Sequence, residues 1–420
     1  MKINHDVNPG KLNHCQITGS SNLFEVIDLG HQPPCDALLT EEMLNETEKS
    51  YPLKLMMCPD SGSAQLDYVV DGSEIYYPEY PYRSGISKPL EEYQRAFADD
   101  VVKMFGLAPG ALCVDIGSND GTLLTGFMRN EMRALGVEPT NIAQIARDEN
   151  KVETIQEFFT ALVAKDIVEK YGKAKIITMT NVFAHMATLG EVMHGLVELL
   201  DDGGIFITES QYLLDVLESN QFEGIYHEHV RTYSLKALVT LMPYYDLEVF
   251  DVQRASRYGG NIRAYIARKG VQPIREHVTD LLAEEESKGL FKPETWAKWR
   301  EKVEENKTKF MNLAIKAKNE GLKFVGNSCP GRGAVLLNYY GVDKSLMPYV
   351  AELPNGLKVG RYLPGTHIPV VSNEILFTEQ PDYVVLLAWH YSDYMIKDLR
   401  ARGLKSKFVI PLPEFHIIED

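Results

Sequence analysis

A chain of 420 residues with 45% hydrophobic and 24% charged residues has the composition of a soluble globular protein with two or three domains. The net charge of −16 argues against a nucleic-acid-binding surface, which would need a basic face. No apolar run reaches the roughly 20 residues that cross a bilayer, and the first residues lack the apolar region of a secretory signal. The five scattered cysteines favour a reducing compartment, so we expect a cytoplasmic protein. From the charge and the short apolar runs we expect neither nucleic-acid nor membrane partners.

Residues 1–75 predict a small, loop-rich module with short strands at 23–29 and 66–70. Two stretches in it have the form of zinc knuckles with the second cysteine replaced, Cys15-Gln16-Ile17-Thr18-Gly19 and Cys58-Pro59-Asp60-Ser61-Gly62. A structural zinc ion needs four Cys or His ligands. Only Cys15 and Cys58 hold the expected places, and the nearest residues that could complete the set are His14, His31 and Cys35. The alternatives are a bound zinc ion and a related fold held by packing.

A tyrosine-rich linker with two prolines follows at 76–84, and its phenols, including Tyr80 and Tyr82, offer hydrogen bonds along it. A helix is predicted over 90–105. We place the central domain at 76–270.

The clearest fold signal is a buried strand at 111–117 that ends in the turn Gly117-Ser118-Asn119-Asp120-Gly121 and opens a helix. Glycines let the backbone turn tightly and approach a ligand at the strand's carboxyl end. A second strand, 133–137, ends in Glu138, 23 residues after Asp115, where nucleotide-binding folds place the carboxylate for a ribose. Because the turn lacks the G-x-G-x-x-G pattern of dinucleotide sites, the sequence favours S-adenosylmethionine over NAD.

The alternation of strand and helix continues through a strand at 175–180, a helix at 189–200, a turn at 202–204 and a strand at 204–209. Asn181 and His185 follow the first of these strands. The carboxyl ends of these strands share one rim with the glycine turn and Glu138, where α/β proteins bind their ligands. Strands at 247–252 and 261–267 are predicted to close the sheet.

The stretch Phe222-Glu223-Gly224-Ile225-Tyr226-His227-Glu228-His229 places a phenol, a carboxylate and two imidazoles at four consecutive positions. Histidine titrates near neutral pH and is a ready general base. The stretch therefore predicts either a proton-abstraction site or a metal site that lacks its remaining ligands. The alternative is a solvated loop without a role in chemistry.

Residues 271–320 predict a charged, solvated helical connector. A second α/β unit is predicted over 321–420, with strands at 324–326, 349–352, 383–388 and 408–410. Its glycine-rich turn at 327–333 opens a helix and suits phosphate, with Arg332 assisting. Lys358 and Arg361 lie in loops of this unit.

These residues together resemble the sugar C-methyltransferases that act on nucleotide-linked 4-keto deoxyhexoses. The resemblance spans most of the chain and rests on 29–34 (Leu-Gly-His-Gln-Pro-Pro), 80–82 (Tyr-Pro-Tyr), 115–121, Glu138-Pro139, Asn181 with His185, 226–229, 364–369 (Pro-Gly-Thr-His-Ile-Pro) and 413–416 (Pro-Glu-Phe-His). It implies an α/β fold with a small N-terminal zinc-binding module, a central Rossmann-like methyltransferase domain and a C-terminal Rossmann-like domain. Thr18 and Ser61 depart from the family, which has cysteines there.

The resemblance also implies the reaction. A methyl group would pass from S-adenosylmethionine to C3 of a TDP- or GDP-linked 4-keto-6-deoxyhexose through an enolate, in deoxysugar biosynthesis. His229 would be the base, Glu228 would orient it or the sugar, Tyr226 and Tyr80 would hydrogen-bond the enolate oxygen or the sugar, and Asn181 and His185 would line the site. The implied cofactor ligands are Asp115, Gly117, Asn119, Asp120, Gly121, Glu138 and Asn181. The implied substrate ligands are Tyr80, Tyr82, Tyr226, Arg332, Lys358 and Arg361.

Two other functions are compatible with the sequence. One is O- or N-methylation of a sugar or small molecule, which needs a base but no adjacent ketone. The other is a non-catalytic paralogue that binds S-adenosylmethionine or a nucleotide sugar. The presence of Tyr80, Tyr226, Glu228 and His229 argues against the second, since a binding protein has no need of a base.

Overall fold

The computed structural model describes residues 3–76, 83–86, 88–354 and 356–419. The predicted substrate ligands Tyr80 and Tyr82 lie outside these ranges. The strands in chain order are β1 (Gly10–Lys11), β2 (Phe24–Gln32), β3 (Tyr51–Cys58), β4 (Ser63–Leu66), β5 (Tyr68–Val69), β6 (Leu112–Ile116), β7 (Arg133–Val137), β8 (Thr154–Ile155), β9 (Ala174–Thr180), β10 (Leu200–Gln211), β11 (Arg231–Thr232), β12 (Leu247–Ala255), β13 (Asn261–Arg268), β14 (Phe324–Asn327), β15 (Val350–Glu352), β16 (Val370–Ser372), β17 (Tyr383–Leu386), β18 (Lys407–Ile410) and β19 (His416–Ile418).

The α-helices are α1 (Gly72–Ile75), α2 (Lys88–Phe105), α3 (Thr122–Arg129), α4 (Ile142–Asp148), α5 (Ala161–Tyr171), α6 (Leu189–Leu199), α7 (Leu213–Glu218), α8 (Leu235–Leu241), α9 (Glu276–Ser287), α10 (Pro293–Asn319), α11 (Gly331–Tyr340), α12 (Glu374–Glu379) and α13 (Ser392–Ala401). Short 3₁₀ turns at Ser84–Ile86, Phe183–His185 and Phe222–Gly224 lie beside the site described below.

The largest sheet has seven strands in the spatial order β12-β13-β10-β9-β6-β7-β8. Its interior strand β6 is buried along its whole length, as expected for a parallel strand covered by helices on both faces. Neighbouring residues of β9 point to opposite faces, and Ile176 and Ile177 accordingly belong to two different apolar clusters. The strand order reverses between β6 and β9, which creates a ligand crevice at their carboxyl ends.

Two further sheets flank the central one. A four-stranded antiparallel sheet, β11-β4-β3-β2, is built mainly from the N-terminal residues, but its edge strand β11 comes from the segment that follows the Tyr226–His229 stretch. The other sheet, β16-β15-β14-β17-β18-β19, is parallel except for β19. The predicted α/β fold class, with a Rossmann-like methyltransferase sheet between two smaller units, is confirmed. The predicted domain limits at residues 75, 270 and 320 stay a prediction.

Two local predictions differ from the structure. The predicted turn at 202–204 lies within β10, where the pairing with β9 shifts register between Leu200 and Ile205. The predicted solvated connector is helical, but α10 buries Trp296, Trp299 and Phe310. Within the described part of the chain, no helix combines the length and the apolar character that spanning a membrane requires.

Arg231 of β11 fastens the N-terminal sheet to the central one. Its side chain is fully buried, and its guanidinium donates to Gln16 Oε1, to the carbonyl oxygens of Met186 and Phe183, and to Tyr233 Oη. A guanidinium carries several N–H donors and can satisfy several buried acceptors at once, whereas an aliphatic side chain can satisfy none.

We predict that Arg231→Met lowers the free energy of unfolding by about 3 kcal/mol or more, because it leaves buried oxygen acceptors without a donor. Urea unfolding followed by tryptophan fluorescence measures the change. Arg129→Met, which breaks an exposed ion pair with Asp99, is the control and should cost less than about 1 kcal/mol. Equal costs for the two variants would contradict this role for Arg231.

Candidate active site

Three aromatic rings, those of His185, Tyr226 and His229, lie together although up to 44 residues separate them in the sequence. The ring of His229 lies 4.1 Å from that of Tyr226 and 5.1 Å from that of His185, between ring centroids. His185 ends the 3₁₀ turn that follows β9, whereas Tyr226 and His229 follow the turn at Phe222–Gly224. Tyr76 adds a fourth ring, stacked 6.2 Å from His185. The stretch is buried, which excludes the solvated-loop alternative.

The hydrogen bonding of His229 defines which of its nitrogens can act as a base. Nδ1 lies 2.8 Å from the carbonyl oxygen of Gly224. A carbonyl oxygen only accepts, so Nδ1 carries the proton and Nε2 carries the lone pair. Burial lowers the pKa of His229 to about 4, with a smaller contribution from the positive charge of Arg332. The imidazole is therefore neutral at physiological pH, as a proton acceptor must be.

His185 and Glu228 form the polar wall next to this ring. Nδ1 of His185 lies 3.9 Å from a carboxylate oxygen of Glu228. Burial holds the pKa of His185 well below its usual value, so this imidazole is also neutral. Among the described residues, Nε2 of His185 has no hydrogen-bond partner although it is buried. A buried polar atom of this kind needs a partner, which a bound substrate can supply.

The glycine turn after β6 is fitted closely to its surroundings. Gly117 has a φ of 69°, and an added Cβ would lie 2.5 Å from Val182 Cγ2, so a side chain has no room there. The backbone N–H of Asn119 donates to Glu138 Oε2 at 3.0 Å. The other oxygen of Glu138 accepts from the N–H and hydroxyl of Thr140. The predicted ribose ligand Glu138 is thus held rigidly against the predicted cofactor turn.

Asp115 and Asp120 have different roles on either side of this turn. Asp115 is buried within β6 and accepts from Thr178 Oγ1 at 2.6 Å, and burial raises its pKa to about 7. Asp120 accepts from Thr122 at the start of α3 and from the N–H of Gly85 at 2.9 Å. The side-chain oxygen of Asn119 accepts from the N–H of Ser84 at 2.8 Å. The segment Ser84–Ile86 is therefore bound to the cofactor turn.

Asn181 lies across the crevice from this turn, at the end of β9. Its φ of 57° and the hydrogen bond from Asn261 Nδ2 to its Oδ1, 3.2 Å, fix its orientation. Its Nδ2 is buried without a partner in the described part of the chain. The supporting carboxylate is Glu209, which is fully buried and accepts from Tyr93 Oη and Arg263 Nε. Residue spacing carries no signal for these partners of Glu209, which lie 116 and 54 residues away in the chain.

The cations predicted for the substrate phosphates are engaged with protein groups. Lys358 donates to Asp36 Oδ1 at 2.6 Å and to the carbonyl of Cys329 at 2.9 Å. Arg332 donates to the carbonyl of Tyr258 at 2.8 Å and lies 3.5 Å from Glu223. Arg361 is half-buried in the loop that follows Lys358. Their substrate roles stay a prediction.

The Lys358–Asp36 pair nevertheless lies beside the site. The ligand atoms of Cys35, Asp36 and Glu228 all lie within 4.8 Å of one another. Cys35 had been a candidate to complete a zinc site, and the structure places it here instead. The N-terminal module, the central sheet and the C-terminal unit thus all reach Glu228.

A glycine turn, an acidic strand end and a buried base at a switch point of a mixed sheet define an α/β enzyme that uses a nucleoside cofactor. Comparison with known proteins gives the class. Three family models match: "Putative zinc binding domain" at residues 15–76, "Methyltransferase domain" at 90–252 and "C-methyltransferase C-terminal domain" at 256–413. C-methyltransferase NovU from Streptomyces niveus is 31% identical over 412 residues, which cover 97% of each chain. The chain belongs to this C-methyltransferase family.

Solved structures similar to part of the chain include a SAM-dependent methyltransferase from Anabaena variabilis, with 17% identity, a TM-score of 0.32, and coverage of 42% of this chain and 85% of the other. Another is magnesium protoporphyrin IX methyltransferase from Synechocystis with bound SAH, with 13% identity, a TM-score of 0.34, and coverage of 45% and 90%. The family matches confirm the prediction of a C-methyltransferase that depends on S-adenosylmethionine.

The residues of the zinc-knuckle positions do not fit a structural zinc ion. The two knuckles have matching backbones, since Gly19 N–H donates to the carbonyl of Cys15 and Gly62 N–H to that of Cys58, both at 2.8 Å. They bring together two thiols and two hydroxyls: Cys15 Sγ lies 3.2 Å from Ser61 Oγ, and Cys58 Sγ lies 3.9 Å from Thr18 Oγ1. A structural site takes four Cys or His ligands, and hydroxyls are not among them.

We predict that Thr18→Cys combined with Ser61→Cys creates a zinc site. The two thiol–hydroxyl separations, 3.2 Å and 3.9 Å, are close to the roughly 3.8 Å between sulfurs that are each about 2.3 Å from one zinc ion. Metal analysis should find about one zinc per chain in the double variant and less than about 0.1 in the unmodified protein. The pair Thr18→Ser and Ser61→Thr is the control and gains none. Stoichiometric zinc in the unmodified protein would refute the prediction.

A buried histidine beside the ring cluster, His227, makes the stability of the protein depend on pH. Burial lowers the pKa of His227 to about 4, and its Nε2 lies 3.3 Å from the carbonyl of Pro52. Below about pH 6.5 the unfolded chain takes up a proton that the folded chain refuses until about pH 4, so acid favours unfolding.

At pH 5 this effect of His227 costs about 2 kcal/mol relative to pH 7 or above. We predict that between pH 7 and pH 5 the free energy of unfolding falls by about 2 kcal/mol less in His227→Gln than in the unmodified protein. The glutamine keeps a donor for the carbonyl of Pro52. Urea unfolding at both values measures it. His416→Gln, at an exposed position on β19, serves as the control and leaves the pH dependence unchanged.

Proposed function

We propose that the enzyme transfers a methyl group from S-adenosylmethionine to C3 of a nucleotide-linked 4-keto-6-deoxyhexose, with His229 as the base. The observation that carries the proposal is the neutral, buried imidazole whose Nδ1 is bound by the carbonyl of Gly224, so that Nε2 is left as the acceptor. Such a base has a purpose when the acceptor atom is a carbon that must first lose a proton.

The chemistry of a ketone explains why a weak base suffices. A carbonyl at C4 acidifies the hydrogen at C3, because the electrons of the broken C–H bond pass into an enolate. His229 Nε2 takes the proton, and a hydrogen-bond donor must face the oxygen where negative charge develops. Tyr226 suits this role, since burial and the nearby Glu228 raise the pKa of its phenol well above 10 and keep it protonated. Tyr80 is proposed as a second donor.

We assign the methyl donor to the crevice between β6 and β9. S-adenosylmethionine, when bound, supplies an electrophilic methyl group on a sulfonium. We assign Glu138 to the ribose hydroxyls, the Gly117–Gly121 turn with Asn119 and Asp120 to the backbone approach, and Asn181 to a polar contact through its unpaired Nδ2. Asp115 would support this rim from within β6 through Thr178.

The substrate would enter where the three units meet. The pathway expected for such a product is deoxysugar biosynthesis, with TDP or GDP as the nucleotide. Tyr82 and two cations of the C-terminal unit, Lys358 and Arg361, are the proposed contacts to the nucleotide sugar. The name of the NovU relative specifies a C-methyltransferase, which supports methylation of carbon over methylation of oxygen or nitrogen.

The test is mass spectrometry after incubation with a freshly made 4-keto-6-deoxy nucleotide sugar in deuterated water. With S-adenosylmethionine we expect one methyl group on carbon, and without it we expect deuterium to enter at C3. We predict that His229→Ala slows both by about 10²- to 10⁴-fold while binding of S-adenosylmethionine stays within about twofold.

His227→Gln is the matched control, because His227 is also buried but lies next to Pro52 rather than in the ring cluster. It should turn over at the normal rate. Normal deuterium entry in His229→Ala would mean that another residue is the base, and Tyr226 and His185 would then be the candidates. If neither methyl transfer nor exchange is seen with TDP and GDP sugars, that result would favour methylation of oxygen or nitrogen, or a binding protein.

A further inference from the structure

Gly224, whose carbonyl binds the base, is enclosed by side chains from two other parts of the chain. An added Cβ at this residue would lie 1.9 Å from the side-chain amide of Gln211 and 2.6 Å from Arg332 Nη2. Gln211 ends β10 and Arg332 lies in the first turn of α11. The backbone at Gly224 is therefore covered so closely that no other residue fits without displacing one of them.

The neighbouring Glu223 is bound by the C-terminal unit. Its carboxylate is fully buried, and one oxygen accepts from Trp389 Nε1 at 2.8 Å and lies 3.5 Å from Arg332 Nε. Trp389 begins the 3₁₀ turn that follows β17. A buried carboxylate needs such partners, and the partners in turn hold the 3₁₀ turn Phe222–Gly224 in place.

Gln211 completes the connection to the base. With its amide oxygen facing Arg332, this oxygen accepts from Nη2 at 3.1 Å, and the amide nitrogen donates to the carbonyl of Gly224 at 3.0 Å. The same nitrogen lies 3.3 Å from His229 Nδ1. One carbonyl oxygen thus accepts from both His229 and Gln211, and its position is determined by groups on β10 and on the C-terminal unit.

We propose that Glu223, Trp389, Arg332 and Gln211 form a positioning network through which the C-terminal unit orients the His229 ring and keeps its proton on Nδ1. The inference rests on the proposed role of His229 as the base. Arg332 then acts on the reaction through the turn that holds the base, in place of the phosphate contact predicted from sequence. If the turn shifts, the hydrogen bond to Nδ1 weakens and both the angle of Nε2 and the choice of tautomer are lost.

The experiment measures deuterium entry at C3 with the methyl donor withheld, because this step reports on the base alone, together with the KM for the nucleotide sugar. Glu223→Gln removes the charge that binds Arg332 but keeps an oxygen for Trp389. We expect it to slow deuterium entry about 10- to 100-fold, with KM within about twofold. Trp389→Phe, which removes only the indole donor, should slow it about three- to tenfold.

Trp296→Phe is the matched control. Trp296 is also buried and donates through Nε1 to a carbonyl, that of Leu290 at 2.7 Å, but it lies on α10 and outside the network. It should cost comparable stability and leave deuterium entry unchanged. If Glu223→Gln does not fold, the milder pair of tryptophan variants decides the question.

The outcomes separate this inference from the proposed function. Unchanged deuterium entry in Glu223→Gln and Trp389→Phe, with His229→Ala inactive, would overturn the network and leave the base in place. A raised KM with normal deuterium entry would overturn it in favour of substrate binding. Normal deuterium entry in His229→Ala would show that the proposed base is wrong, and the network would fall with it.

Discussion

The hydrogen bond between His229 Nδ1 and the Gly224 carbonyl is the interaction on which the site depends. Burial makes the imidazole neutral, but it also makes the ring a weak base, with a pKa of about 4. Proton removal from carbon by such a base is feasible only when the negative charge is stabilised as it forms and when the base is correctly placed. In the proposed mechanism, a phenol that stays protonated at Tyr226 and a fixed tautomer at His229 meet these two needs without raising basicity.

The need to place the base explains why the site lies at the junction of three sheets. The N-terminal module contributes Asp36 beside Glu228, and the C-terminal unit contributes Lys358 as the partner of Asp36. The same unit contributes the contacts of Arg332 to the turn before the base. A site on a single sheet could bind the methyl donor in its crevice, but excluding water from the acceptor carbon and fixing the base require walls from the other units.

The sequence could predict what is local. The continuous apolar run of β6, the glycine turn and Glu138 at the end of β7 are encoded within short windows, so the crevice and its rim were predictable. The contacts that determine the site are not local. Trp389 and Glu223 lie 166 residues apart, and Arg231 reaches Gln16 across 215. Side-chain pairing over such distances leaves no trace in spacing, and for this reason Arg332 and Lys358 were predicted as phosphate ligands without their protein partners.

The N-terminal module has the two turns of a zinc-binding fold, but two of the four ligand positions hold hydroxyl side chains. A structural zinc ion supplies on the order of 10 kcal/mol of folding free energy, so a module without one needs other stabilising contacts. Here Cys15 and Cys58 are fully buried, and each thiol lies near one of the hydroxyls of Ser61 and Thr18. The strand β11 and the buried guanidinium of Arg231 add contacts to the central sheet that an isolated module would lack. These contacts hold the module on the central sheet through the segment that follows His229, so the folding of the module is coupled to the geometry of the site.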